Sequence, residues 1–352
     1  MERYIGLDAH AQTCTFAVMG PSGKRLKEHV IETNGKALVE FIKSVPGERH
    51  LCTEEGGHSE WLYEILSPHV ERMLVVQPPP SSGRKSDSID AWLLADMIRT
   101  GAAATVVFKA PKAFTALRDA VRAHRAATQD LVRAKNRVKA IYRGRGLPTA
   151  GTEAYDPERR DDLLQRLPTH RRTLAELLSE ELDAIARIQQ RAESWLLEEA
   201  KRHSEVRRMA TLPGIGPIRA AQIVAIVVTP RRFRTKQQFW SYCGLGIVTR
   251  SSSDWVRDRG GAWTRRDIVV ARGLNRNRQP TLKAIFKGAA VTIVDQMPNH
   301  PLHQDYERML ERGLKQSVAR IVVARRIASA ALALWKKKED YDPAKHRPKS
   351  AA

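Results

Sequence analysis

Residues 3–32 read RYIGLDAHAQTCTFAVMGPSGKRLKEHVIE. The short apolar run at 3–8 predicts a strand that closes on Asp8. A second run starts at Cys14 and is broken by Gly20, Pro21, Ser22 and Gly23, a hairpin signal. Working outward, GKALVEFIKSV spaces Leu38, Phe41 and Ile42 as a helix does. RHLCTEE reads as a strand, HSEWLYEIL as a helix, RMLVVQP as a strand and SDSIDAWLLADMIRT as a helix. A meander of three strands followed by alternating helices and strands predicts a mixed α/β sheet ending near residue 109.

The acids fall at telling places on that frame. Asp8 closes the first strand and Glu54 a later one. Asp87 and Asp90 are three apart on a helix and share a side. Clustered carboxylate oxygens suit a hard divalent cation such as Mg²⁺, and phosphodiester chemistry uses such clusters to steady attacking and leaving oxygens. Each acid also has a plainer reading. Asp8 can open a polar turn. Glu55 competes with Glu54, and strand alternation turns the two to opposite faces. Asp87 can be a helix N-cap, with Asp90 completing a capping-box-like pair.

The 352-residue chain carries a net charge of +21 and is 42% hydrophobic. That length predicts two or three domains. The charge is spread through the foldable regions, which points to a polyanion partner, since each neutralised phosphate releases counterions. Cys14, Cys52 and Cys243 are far apart, which suggests neither a zinc module nor a disulfide framework. No signal peptide or membrane span is expected, and the reading is a reduced cytoplasmic protein.

From Lys109 to Arg145 there are 11 Lys/Arg and two Asp at helical spacing. A second helical run spans about 170–205, where Leu178, Leu182, Ile185, Gln189, Ala192 and Leu196 form a heptad seam. The expectation for 110–205 is a helical coiled-coil middle: two long antiparallel helices, or a coiled-coil pair that helps the protein oligomerise. Residues 206–352 are expected to form a helical domain ending in a basic tail. There LPGIGPIRAAQIVA (212–225) has the form of a helix-hairpin-helix. Gly214 and Gly216 would allow the tight turn, with backbone N–H groups available to a phosphate; an ordinary turn between core helices is the alternative. Further on, Arg250, Ser251, Ser252, Ser253, Asp254, Arg257 and Arg259 gather hydroxyls and guanidiniums in a loop. No nearby His serves as a base, so a hydrolase triad is not supported. The arginines suit a phosphate, and a serine could attack phosphorus if activated.

In this order, YIGLDAH, HLCTEEGGHSEWLYEIL, KSDSIDAWLLA, LPGIGPIRAAQI and FWSYCGLGIVTRSSS resemble the DEDD-type transposases of bridge-RNA-guided insertion sequences, serine recombinases with a RuvC-like domain. The resemblance runs nearly the full length. It implies an RNase H/RuvC-like domain at 1–109 with Asp8, Glu54, Asp87 and Asp90 as a metal-binding tetrad. It implies a nucleophilic serine that spacing from Gly244-Leu245 puts at Ser252, with Ser251 and Ser253 as rivals, and a 5′-phosphoserine link to DNA. Its implied partners are donor and target DNA, a structured guide (bridge) RNA from the element, Mg²⁺ and further copies of the chain. The assembly would be a dimer or tetramer with composite active sites, associated with the nucleoid. The chain departs from the family pattern at Gly246-Ile247, where Thr-Pro is common, and in its run of three serines. Two other readings stand beside this one: a RuvC-like junction nuclease that hydrolyses DNA with water, and a non-catalytic nucleic-acid scaffold.

Overall fold

The computed structural model describes residues 1–77, 86–103, 106–110, 112–149, 151–249, 255–258, 260–265 and 271–345. The chain divides into two compact units, Met1–Thr115 and Ala116–Ala352.

The first unit is built on a five-stranded sheet. Strands β1 (Glu2–Ala9), β2 (Thr13–Met19) and β3 (Arg25–Glu32) form the expected antiparallel meander. Helix α1 (Gly35–Ser44) leads to β4 (Glu48–Glu54), and α2 (Ser59–Leu66) leads to β5 (Arg72–Val76). Both later strands run parallel to β1, giving the order β3-β2-β1-β4-β5. Helix α3 (Asp87–Thr100) closes the unit and stops at Gly101, whose φ of 71° ends the helix in the left-handed region.

Period-two alternation divides the sheet into two faces. Ile5, Leu7, Cys14, Phe16 and Leu51 pack with Leu38 and Ile42 of α1 and Leu62 and Leu66 of α2. On the other face, Ala17 and Met19 pack with Ala91, Trp92 and Ala95 of α3, while Cys52 and Val76 pack with Leu94 and Ile98. Each large apolar side chain so buried stabilises the fold by about 1.5–3 kcal/mol. Asn34 caps α1 by accepting from the amides of Lys36 and Ala37, worth about 1 kcal/mol.

In the second unit, α4 (Thr115–Arg143) and α6 (Thr169–Lys201) are the two long helices, with α5 (Pro157–Gln165) between them. They are antiparallel, because His124 meets Glu193 while Arg137 meets Glu181. The seam behaves as its spacing demands: Leu178, Leu182 and Ile185 pack with Ala134, Val138 and Tyr142, and Leu163 of α5 joins them.

Next come α7 (Ser204–Met209), α8 (Pro217–Val227) and α9 (Lys236–Tyr242). Two short ribbons follow. Strand β6 (Ile247–Thr249) pairs with β9 (Ala271–Leu274), and β7 (Trp255–Arg257) pairs with β8 (Trp263–Arg265). This unit is mostly helical, as expected, and the ribbons place Arg257 on a strand rather than in a loop. Ile247, Val248, Thr249, Trp255 and Trp263 favour extended backbone, but strands of three or four residues are too short to show a period. Helices α10 (Pro280–Gln296), α11 (Pro301–Glu311) and α12 (Gln316–Lys337) complete the unit.

The three cysteines are free and buried. Burial pushes the Cys52 thiol up to about 12 and the Cys243 thiol upward as well. No helix among the described residues is long and apolar enough to cross a membrane.

Candidate active site

The acidic site is built by strand parity and one close contact. A Cβ on Gly6 would run into the carbonyl of Ala91 and come within 2.6 Å of the amide of Ala95, so α3 lies directly on β1 there. Asp8 is two residues beyond Gly6 and projects on the same face. Ala91 is one turn after Asp87, so the contact that seats Ala91 over Gly6 brings the first turn of α3 to the end of β1. On β4, Cys52 packs with α3, and Glu54, two residues on, shares its face. The last β1–β4 pair is Leu7 with Thr53, which puts Asp8 and Glu54 next to one another at the carboxyl ends of adjacent parallel strands.

Glu55 points elsewhere. Its carboxylate lies 2.7 Å from Lys109 Nζ and accepts from the Ser59 hydroxyl at 3.2 Å. This ion pair ties the neighbouring acid to a lysine and leaves the α3 face to Glu54.

Asp87 is not the helix cap. Ser86 has that role, its hydroxyl accepting from the Ile89 amide at 3.3 Å. The capping alternative for Asp87 is therefore corrected: the serine one residue earlier has the extended backbone a cap requires, and Asp87 is the first helical residue. Its carboxylate is 3.5 Å from His10 Nε2, which lies 3.2 Å from Asp8 Oδ2. The ligand atoms of Asp8, His10 and Asp87 all lie within 4.8 Å of one another.

Asp8 is 8% exposed. Burial pushes its carboxyl above the ordinary range, His10 opposes the shift, and the charges of Asp87 and Asp90 add to it. Acids that repel one another at a strand end favour a cation between them. Asp8 and Asp87, with His10 beside them, could offer ligand atoms to a divalent ion, and Asp90 is near enough for its charge to act on Asp8. His10 is the residue that sequence reasoning missed. It lies just past the end of β1, where strand alternation no longer fixes which way a side chain turns.

In the second unit the hairpin glycines separate in character. Gly214 has φ of 71°, and a Cβ there would lie 2.7 Å from the Ala289 carbonyl of α10. Its own carbonyl accepts from Arg219 at 2.6 Å. Gly214 is thus a packing residue. Gly216 is the cap residue before α8, offers no side-chain cap, and has nothing within 4 Å of where its Cβ would be. It is the open end of the hairpin. Arg257 lies on β7 with its guanidinium 5.4 Å from the centre of the Trp263 ring. Arg250, Ser251, Ser252, Ser253 and Arg259 lie outside the described residues.

Two family models match the chain. A DEDD transposase model of the IS110 type matches residues 5–144. A model of the transposase IS116/IS110/IS902 family matches residues 206–306. A mixed five-stranded sheet followed by a mostly helical region fits a transposase of this type, an enzyme acting on DNA. Together the two matches take in well over half of the chain, which belongs to the DEDD insertion-sequence transposases of this family. No curated protein matches it. The family suggests use of a divalent metal.

Proposed function

We propose that the chain cuts and rejoins DNA through a serine, with target and donor chosen by an element-encoded guide RNA. The observation that carries the acidic half is the meeting of Asp8 and Asp87 at the end of β1, with Glu54 and Asp90 on the same side. These four would hold Mg²⁺. A bound Mg²⁺ would supply Lewis acidity to a phosphate oxygen and stabilise charge on the attacking and leaving oxygens.

The chain's own part is as follows. The Oγ of Ser252 forms a bond to phosphorus as the bond from phosphorus to the 3′ oxygen breaks. The 3′ oxygen leaves as a hydroxyl, and the proton it gains balances the one the serine gives up. The phosphate stays on the serine as a 5′-phosphoserine, so its bond energy is kept for rejoining. Arg250, Arg257 and Arg259 neutralise developing charge. The amide end of α8 at Gly216 grips the DNA backbone. We assign residues 1–109 to the acidic site, 110–205 to assembly and 206–352 to the serine chemistry. Assembly as a dimer or tetramer would let one copy's acids meet another's serine.

The test is a denaturation-resistant protein–DNA adduct formed with Mg²⁺, assayed for the parent protein and for Ser252→Ala. Loss of the adduct in Ser252→Ala supports the assignment; an adduct that persists moves it to Ser251 or Ser253. RNA copurifying with the protein should map to the non-coding flank of its own gene, and random cellular RNA would count against guidance. A metal-dependent nuclease using water is the second reading, favoured by one observation: all four acids lie within the first unit. It predicts DNA cleavage by the parent protein with no adduct at all.

A further inference from the structure

The second unit holds a groove of about 720 Å³ to which none of the preceding chemistry assigns a role. One wall is the α10 face bearing Lys283, Lys287 and Val291. These residues are four apart, which stacks them on successive turns. The facing wall is α12, with Val318, Ile321 and Arg325. Ile247 of β6 and Leu274 of β9 close one end.

The lining combines two properties that seldom meet on a surface. Its apolar side chains are open to solvent: Ile247 is 54% exposed, Val318 49% and Val291 40%. Its charged side chains are all cationic. Two of these already have partners. Arg325 donates from Nε to the Leu245 carbonyl at 2.6 Å, and Arg320 lies 3.7 Å from Asp295. The two lysines meet no carboxylate among the described residues. Burial pushes the pKa of Lys283 down, and the charges of Arg278 and Lys287 add to that shift.

A phosphate track alone would need only the lysines, and a purely apolar partner would avoid them. A nucleotide offers both a flat apolar face and flanking phosphates. Its volume suits the groove, since pockets for small ligands commonly enclose about 300–1,000 Å³. Strand β6, which closes the groove, leads directly into the serine run at 251–253.

We propose that this groove holds an unpaired nucleotide of the DNA strand on which the serine acts, its base against Val291, Val318 and Ile321 and its phosphates on Lys283 and Lys287. The proposal rests on the reading of the chain as a DNA recombinase. It gives the second unit a means of holding a melted strand in addition to the hairpin.

The test uses the full-length chain carrying Ser252→Ala, so that binding is measured without covalent capture. A single-stranded DNA containing 2-aminopurine is titrated over a salt series, reading anisotropy and base fluorescence. Adding Lys283→Ala with Lys287→Ala should weaken binding at least tenfold. It should also reduce the log–log salt slope by about 1.4, two contacts at about 0.7 each for a single strand. Val318→Glu, on an exposed side chain, should abolish the 2-aminopurine response. Arg122→Ala with Arg133→Ala on α4 removes the same charge elsewhere and should change binding less than twofold. Unchanged affinity and slope in the lysine variant, or an equal loss in the α4 control, overturns the groove. Adduct formation by the chain with its serines intact is scored separately. Groove-dependent binding without an adduct counts against the serine alone; an adduct with groove-independent binding counts against the groove alone.

Discussion

One glycine in each unit lets two pieces of backbone touch, and the two contacts have different consequences. Under α3, Gly6 is a strand residue whose missing side chain lets a helix lie on the sheet. Against α10, Gly214 is a turn residue that needs both the space and the left-handed backbone. The first contact sets the separation of chemical groups, because Asp8 and Asp87 are each a short step along the chain from it. The second sets only where a hairpin sits. A close approach between regular elements, both rigid and buried, positions a site more firmly than one made by a turn.

That contrast can be broken experimentally. The largest effect is expected for Gly6→Ala. The new Cβ meets main chain that cannot move without lifting α3, so the first unit should lose about 3 kcal/mol. Hydrogen exchange of α3 amides reads this locally, and unchanged protection would mean that the contact is looser than described. Gly214→Ala should cost about 2 kcal/mol, confined to α7, α8 and α10, with α3 protection untouched.

The smallest effect has the opposite sign. The carboxyl of Asp8 titrates above its ordinary range when folded. The folded chain therefore binds that proton more readily than the unfolded chain, and stability falls as pH rises through the folded value. Removing the charge with Asp8→Asn should raise the Tm at pH 7 in metal-free buffer, by about 2–4 °C for each kcal/mol relieved, and flatten the pH dependence. With Mg²⁺ added the order should reverse, because only the parent gains stability from the bound ion. A Tm that Mg²⁺ leaves unchanged in the parent would remove the metal from the site.

The mixed sheet, Asp8 and Glu54 at strand ends, and the opposite faces of Glu54 and Glu55 were legible because strand alternation is a rule of period two. It needs only the position of each strand. The α4–α6 seam was legible for the same kind of reason, since a heptad repeat accumulates over many residues. Three features were not legible. Choosing between Ser86 and Asp87 as cap depends on which residue keeps an extended backbone, a property of the loop before it. Helix α5 is nine residues long and begins at Pro157, at the end of the Gly- and Pro-containing stretch GRGLPTAGTEAYDPE (144–158). The ribbons β6–β9 and β7–β8 have strands of three or four residues, too short for a period to stand out. Gly6 is visible as a glycine, but what it makes room for lies more than 80 residues away in sequence.

The buried cysteines have a practical consequence for spectroscopy. Thiolate is the reactive form, and Cys14, Cys52 and Cys243 are both enclosed and held in the thiol state. A folded chain should therefore ignore maleimide dyes without any native cysteine being replaced. One new cysteine at an exposed position, such as Ile188 on α6, would carry a label alone. Fluorescent reporters can then follow the binding of DNA to an otherwise natural sequence.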